Sequence, residues 1–492
     1  MNISKIQIII LVILAMTNTN AIARDVTKEP SQGQVQLSLA LIDTKLSLRQ
    51  GYSFPSMQQS LQMVWIVDRL TVLGIQKGYE ILLPTQDGLR LGLGIATETA
   101  AAFGLLFVNG WMHEEWHHTV LSAGDVSSRN GFFHREAWKD GIVSVDHVTD
   151  EDLTRLKADS PAYMVRAMSA GIEAELTLVT IASNELFFHG GHGRQLGPFL
   201  ISGSYMAPLL FLTTVSTIGY PFLCMDPTLD EIIDEENKRL TDWQLRDFTG
   251  PDCTAWVYDM FRPDESYTKR GPHPSGVGIK RYIKWSDLAP REQAYLKRQS
   301  RLHLINLINP HLYWIDGVVV GIRTTEDRWI ASLGHILTPW GYTLDVRIGL
   351  KYGEFAGKIV LHNGFAEAGY FPGLDLALID FPLSGQRLIL DLAVGLWLQP
   401  SDLRYDGRRR VPGGRSQIQL SWRALPRFDL WAQISAKTEG WVMGEIHLKP
   451  AVNGAIGFTV HSQGQPQFIR EQLRRGATFL HHSNSLLLLS SH

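Results

Sequence analysis

The sequence contains little cysteine and little charge. Two of its 492 residues are cysteines, Cys224 and Cys253, so at most one disulfide could form and a framework of bridges is excluded. Charged residues make up 19% of the chain and the formal net charge is −3, which gives no basis for general nucleic-acid binding. The sequence has no phosphate-binding P-loop and no serine in a G-x-S-x-G turn.

The first 23 residues have the composition of a cleavable export signal. Lys5 is followed by the apolar run "IQIIILVILAM", and the small residues Ala21 to Ala23 offer a cleavage site. A membrane anchor is the alternative, but the apolar run is short for a membrane span. We therefore predict a signal peptide over residues 1–23 and an exported mature protein.

Before about residue 310 the hydrophobic pattern predicts helices. One long apolar segment ends at Gly124, and another begins with Ser160 as N-cap and Pro161 at the first helical position. The segment from Leu196 to Met225 has no charged residue, but its prolines and glycines favour a broken, buried helical pair at least as much as a span. Residues 24–225 thus form a helical domain, and residues 226–310 form a charged connector with some helix.

After residue 310 the apolar residues recur at every second position. In "QRLILDLAVGLWLQ" one face carries Leu388, Leu390, Leu392, Val394, Leu396 and Leu398. About eight to ten such segments occur before residue 462, which predicts an antiparallel meander. A soluble barrel or sandwich fits this pattern, but the large aliphatic face and the aromatic residues near strand ends favour an outer-membrane barrel.

These observations predict an α+β fold. A helical N-terminal domain precedes a C-terminal antiparallel β-barrel over residues 311–462, and residues 463–492 form a tail. The barrel would lie in the outer membrane of a Gram-negative bacterium.

The stretch "WMHEEWHHTV" contains the pattern H-E-x-x-H. On a helix, His113 and His117 lie one turn apart on the same face and can bind one tetrahedral Zn²⁺. Glu114 is then placed to act as the general base on the zinc-bound water. Because the flanking segments are apolar, polar groups at these positions indicate a function rather than a solvated helix face.

A catalytic zinc needs a third protein ligand, and the next strong helix offers Glu173 and Glu175. Carboxylates in an apolar helix are costly unless they are used. Because the two lie two residues apart, only one can face the zinc, and the other could orient a histidine. We prefer Glu173 as the ligand and leave Glu175 as the alternative.

An H-E-x-x-H motif followed by a glutamate on a later helix resembles the gluzincin metallopeptidases, and loosely the CAAX-prenyl-type membrane proteases among them. Here "HEEWH" matches the first element and "GIEAEL" matches the second loosely. Leu176 stands near the place where that family often has an aspartate. The resemblance covers about a tenth of the chain, and it implies His113 and His117 as ligands, Glu114 as general base and Glu173 as third ligand.

Other histidines leave a second enzymatic reading open. "HEEWHH", which includes His118, and "HGGH", with His189 and His192, resemble the histidine boxes of membrane di-iron desaturases and hydroxylases. Those enzymes need around eight histidines, whereas this chain offers six at most, including His134. In a zinc site, His189, His192 or Arg194 could instead stabilise an oxyanion.

The function that the sequence favours is zinc-dependent peptide-bond hydrolysis, with a peptide or protein substrate and Zn²⁺ as cofactor. An alternative without catalysis is a membrane channel or adhesin whose helical domain carries structural histidines.

Overall fold

The computed structural model describes residues 36–44, 55–132, 145–190, 194–201, 207–239, 242–320, 327–353, 355–384, 387–425 and 427–461. The predicted signal peptide, the C-terminal tail, His134 and His192 lie outside the described residues. In the described part, eight α-helices and one large antiparallel sheet form an α+β fold, as predicted.

The helices begin and end at residues with recognisable local signals. Ser56 and Gln59 form a capping box at the start of the first helix. Pro161 opens the fourth helix after Ser160, and Gly124 ends the second, which confirms both predicted boundaries. The helices are α1 (Met57–Leu82), α2 (Asp87–Ala123), α3 (Asp150–Asp159), α4 (Pro161–His189), α5 (Ala207–Leu223), α6 (Pro227–Arg239), α7 (Asp252–Phe261) and α8 (Pro290–Leu302).

The large sheet contains twelve strands in the order β1-β14-β13-β12-β11-β10-β9-β8-β7-β6-β5-β4. A separate pair consists of β2 (Arg129–Asn130) and β3 (Val145–Asp146). The twelve strands are β1 (Gln36–Asp43), β4 (Arg194–Leu196), β5 (Phe199–Ile201), β6 (Ile315–Val319), β7 (Arg328–Thr338), β8 (Gly341–Tyr352), β9 (Phe355–Ala366), β10 (Gly369–Ser384), β11 (Leu388–Pro400), β12 (Arg410–Leu425), β13 (Phe428–Lys437) and β14 (Ala451–His461).

The sheet corrects the predicted barrel in two ways. Among the described residues it is open rather than closed, with β1 and β4 as its edges. It has twelve strands, and nine of them, β6 to β14, lie within residues 311–462, where eight to ten were predicted. Three of these strands come from outside residues 311–462, because β1 pairs with β14 and β5 pairs with both β4 and β6. Alternation specifies the faces of a strand but not its partners, so the sequence pattern does not predict these long-range pairings.

The edge strand β1 is covered by α1. The side chain of Gln59 donates to the carbonyl oxygen of Ala40 at 3.1 Å, and the backbone N–H of Ala40 donates to Gln62 at 2.8 Å. These contacts satisfy backbone groups that an edge strand would otherwise leave unpaired.

In its described residues, the charge-free segment from Leu196 to Met225 contains one α-helix rather than a helical pair. It contains the last residue of the short strand β4 and the whole of β5, followed by α5 with Pro221 inside it. By length and composition, one described helix, Gly88–Ala123 within α2, could cross a membrane. A second candidate arises only if Pro208–Leu223 and Pro227–Glu235, bent by 77°, count as one span.

One hydrophobic core joins the helices to the connector and to the segment between β13 and β14. The buried face of α7 contributes Cys253, Trp256 and Val257, each 0% exposed. Trp441 and Ile446, between the last two strands, belong to the same cluster. The segment that we predicted as a charged connector therefore supplies a buried helix to the core.

Candidate metal centre

His113 and His117 lie on one face of α2, as their spacing predicts. Their ring centroids are 4.9 Å apart, and both rings point toward α4 and α7. The close approach of α2 and α4 depends on Gly171. A Cβ atom there would lie 2.2 Å from Nε2 of His113, so only glycine leaves room for this imidazole.

A third ligand atom comes from Asp252 at the start of α7. Its Oδ2 lies 2.9 Å from Nε2 of His113 and 3.2 Å from Nε2 of His117. The three donor atoms lie within 4.8 Å of one another and could hold a metal ion. Nε2 of His117 is buried and makes no hydrogen bond of acceptable geometry with any described residue despite the short distance to Asp252, as expected for an atom that is aimed at a shared ion.

The outward-facing nitrogens of both rings are held by the protein. Nδ1 of His113 lies 3.1 Å from Oε1 of Glu175, and Oε2 of Glu175 accepts a hydrogen bond from Thr217 at 2.6 Å. Nδ1 of His117 faces the carbonyl oxygen of Ala167. With Nδ1 donating, Nε2 of each ring can give up its proton and bind a metal ion, as a histidine ligand requires.

The electrostatics of the group favour a cation. Burial alone would raise the pKa of Asp252, but the charge of His117 and the hydrogen bond and charge of His113 lower it to about 2. Burial alone would lower the pKa of His113, but its hydrogen bonds with Asp252 and Glu175 raise it well above the ordinary value. The carboxylates of Asp252 and Glu175 thus stabilise positive charge at this position, whether it is carried by protonated histidines or by a bound metal ion.

The donor set could hold a divalent metal ion, and zinc is one that fits it. Two imidazole nitrogens and one carboxylate oxygen are the ligands of a catalytic zinc site with three protein ligands, which leaves a fourth position open. Aromatic rings border the group, with the ring of Tyr220 5.8 Å from His113 and that of Phe248 5.4 Å from His117. The hydroxyl of Tyr220 also accepts a hydrogen bond from the backbone N–H of Asp252 at 3.3 Å.

The two adjacent glutamates of the motif have different surroundings. Glu114 follows His113 on α2 and is half-buried. Glu115 is 3% exposed, and its carboxylate accepts a hydrogen bond from Asn130 at 2.9 Å. Of the two, Glu114 is the residue that the motif assigns to proton transfer.

Glu173, the third ligand that the sequence favours, is not brought to the two histidines. Its carboxylate is paired with Arg166 at 2.9 Å and accepts the backbone N–H of Gly444 at 2.9 Å. Arg166 in turn donates to the carbonyl oxygen of Ile446 at 2.9 Å. Side chains two residues apart on a helix point in nearly opposite directions, about 200° apart around the helix axis. Glu175 therefore faces His113, whereas Glu173 faces the other way and anchors the segment between β13 and β14.

The other candidate residues lie away from the group or are not described. Nδ1 of His118 contacts the hydroxyl of Ser128 at 2.7 Å, and burial lowers the pKa of His118 to about 4. His189 ends α4 about 21 Å along the helix from Glu175, between Glu185 and Asp380. Arg194 begins the edge strand β4. The described residues thus bring neither His118 nor His189 to the candidate centre.

Asp252 escapes prediction because it lies far along the chain, in a segment whose charge pattern indicates a solvated connector. The available signal is its position after "TGP", at the start of the apolar stretch "DCTAWVYDMF". An acidic residue in the first turn of a helix also has an ordinary explanation in the helix dipole, so the sequence alone does not point to a ligand.

Comparison with protein-family models, with curated proteins and with solved structures finds no match for this chain.

Proposed function

We propose that the protein is a zinc-dependent hydrolase of peptide bonds. In this proposal Zn²⁺ is bound by His113, His117 and Asp252, and Glu114 is the general base. The observation that carries the proposal is the convergence of the two motif histidines with a buried carboxylate from a distant helix. The choice of peptide bonds rests on the H-E-x-x-H motif.

Each residue of the group has a defined task. A bound zinc would act as a Lewis acid and lower the pKa of a water molecule at the open position. Glu175, fixed by Thr217, orients His113, while the carbonyl oxygen of Ala167 orients His117. Glu114 would accept the proton of the attacking water and pass it to the leaving amine.

Metal content and turnover test the two parts of the proposal separately. The purified full chain, supplemented with zinc and dialysed, should keep about one equivalent of zinc and cleave members of a peptide library profiled by mass spectrometry. Glu114→Gln should keep the metal and lose at least about 100-fold in turnover, because the amide cannot accept the proton. Glu115→Gln, which changes the neighbouring carboxylate bound to Asn130, should keep both properties.

The adjacent residues His117 and His118 provide a ligand variant and its matched control for metal binding. His117→Ala should lose zinc because it removes a ligand, whereas His118→Ala should keep it because His118 contacts Ser128. Full turnover in Glu114→Gln would overturn the assigned base. A wild-type chain that retains no zinc would overturn the metal centre and favour the non-catalytic alternative.

A further inference from the structure

The long strands of the sheet have two faces of opposite character. The inner face packs against the end of α4, where the ring of Phe187 fills the space above Gly349 and Lys351 donates to the carbonyl oxygen of Phe188 at 3.2 Å. The outer face is formed by the alternate residues, which point away from α4. Neither the metal centre nor the proposed hydrolysis uses this outer face.

Charged side chains of β8 to β14 lie on the inner face. There Arg415 pairs with Asp375 at 2.5 Å, and His362 lies 2.9 Å from Asp345. Farther along the sheet, His461 lies 2.8 Å from Asp429. Among the described residues of these strands, Arg410 at the start of β12 is the one charge that the register places on the outer face.

The outer face is aliphatic across consecutive strands. One row of directly paired residues runs from Leu390 through Leu420 and Ala432 to Ile456. The register places further aliphatic residues in neighbouring rows, and many of these side chains are exposed. They include Leu376 (47%), Leu396 (62%), Ile434 (56%) and Val452 (72%).

Aromatic residues flank this aliphatic band at both ends. The ends of β8 and β9 that share one turn carry Tyr352 and Phe355, which are 70% and 48% exposed. At the opposite ends of the strands, Tyr342, Phe365 and Tyr370 pack in sequence with centroid distances of 5.2 and 5.6 Å.

A sheet in water buries its apolar face and exposes its polar one, so this arrangement is inverted. The outer face of β8 to β14 and β1 spans eight strands, about 38 Å, and the aliphatic band is about 25 Å high if the strands tilt as in membrane barrels. That gives on the order of 1,000 Å² of apolar surface, whereas the largest patch on a typical soluble monomer measures about 300–600 Å². The band also exceeds the roughly 800 Å² that one partner contributes to an ordinary interface.

We propose that the outer face of β8 to β14, together with β1, lies against the hydrocarbon interior of a lipid bilayer. The strands β8 to β14 are 10 to 16 residues long, which is enough to cross the hydrocarbon core, and the aromatic rows lie where such sheets meet the lipid headgroups. The inner face keeps its ion pairs out of the lipid. The predicted outer-membrane location is one setting for this contact, and the proposal does not depend on the metal centre.

A charge on the outer face distinguishes lipid from water. Ile434 is already 56% exposed, so Ile434→Arg should be harmless if that face contacts water. Against lipid, it should reduce assembly of the full chain into dilauroylphosphatidylcholine vesicles by about 30-fold or more, measured by flotation and resistance to alkaline washing. Ile232→Arg on the acidic helix α6, at a residue 52% exposed, is the matched control and should assemble like the wild type.

A second measurement does not depend on a charged variant folding. A nitrobenzoxadiazole label on Val452→Cys should show blue-shifted emission in these vesicles and should be quenched by doxyl-labelled lipid. The proposal is overturned by a label that stays exposed to water, or by equal assembly of Ile434→Arg and Ile232→Arg. It is equally overturned by a wild-type chain that is soluble without detergent, whether as a monomer or as a dimer that covers the face.

Discussion

Replacing Gly171 with alanine tests the geometry of the metal centre without touching a ligand. Gly171 lies in α4, where the imidazole of His113 rests directly on the helix backbone. The added methyl group would lie 2.2 Å from both Nε2 and Cδ2 of His113. Since carbon and nitrogen atoms in contact need about 3.5 Å, the ring must move by roughly 1 Å or the two helices must separate.

The expected loss of zinc affinity follows from the narrow range of distances between zinc and its ligands. Ligand distances vary by only about 0.2 Å, so a displacement near 1 Å removes His113 from the coordination sphere. Loss of an outer hydrogen-bond partner of a ligand alone costs about 10–100-fold in affinity, and loss of the ligand itself should exceed that. We therefore expect Gly171→Ala to weaken zinc binding more than 100-fold, or about 2.7 kcal/mol.

Competition with a zinc chelator measures this affinity, and a second glycine provides the control. Gly104 lies in α2, and a methyl group added there would have no atom of the described residues within 4 Å, so Gly104→Ala should leave the zinc affinity unchanged. It should also add up to about 1 kcal/mol of helix stability. Equal zinc affinity in Gly171→Ala and the wild type would refute the placement of His113 against α4 as a metal ligand.

Two further predictions concern carboxylates near the centre and beyond it. Glu175→Gln should weaken zinc binding by about 10–100-fold in chelator competition, and an unchanged affinity would contradict its role in orienting His113. Asp68 is 0% exposed, neither of its carboxylate oxygens makes a hydrogen bond with the described residues, and burial raises its pKa to about 8. The folded state therefore keeps a proton that the unfolded state loses above about pH 4. The free energy of unfolding should then fall between pH 5 and pH 8, by at most about 1.4 kcal/mol per pH unit. In Asp68→Asn, the free energy of unfolding measured by chemical denaturation should depend less on pH than in the wild type. An unchanged pH dependence would contradict the raised pKa of Asp68.

The parts of the fold that depend on local signals were predictable. Pro161 and Gly124 mark helix ends through backbone chemistry that acts within one turn. The alternation from Leu388 to Leu398 likewise places one set of side chains on one face, and the register confirms it. The segment "QLSLALID" alternates in the same way, but it lies within the predicted helical domain and forms β1 instead, and nothing in it identifies β14 as its partner.

The candidate site, too, could be predicted from the sequence only where the signal is local. His113 and His117 are one turn apart, so their joint orientation follows from helix geometry alone. The choice between Glu173 and Glu175 depends on which side of α4 faces α2, and that is decided by packing between distant elements. Asp252 is the extreme case, because 135 residues or more separate it from both histidines and only the folded chain joins them.

The zinc content of two carboxylate variants tests the central claim most directly. Asp252→Ala removes the carboxylate that the structure places beside both histidines, and Glu173→Ala removes the one that the sequence favoured. After zinc loading and dialysis, we predict that Asp252→Ala retains less than about a tenth of an equivalent. Glu173→Ala should retain close to one equivalent in its folded fraction, although the loss of its buried pair with Arg166 should cost about 3–5 kcal/mol of stability. Retention of zinc by Asp252→Ala, with its loss from folded Glu173→Ala, would contradict the assigned centre.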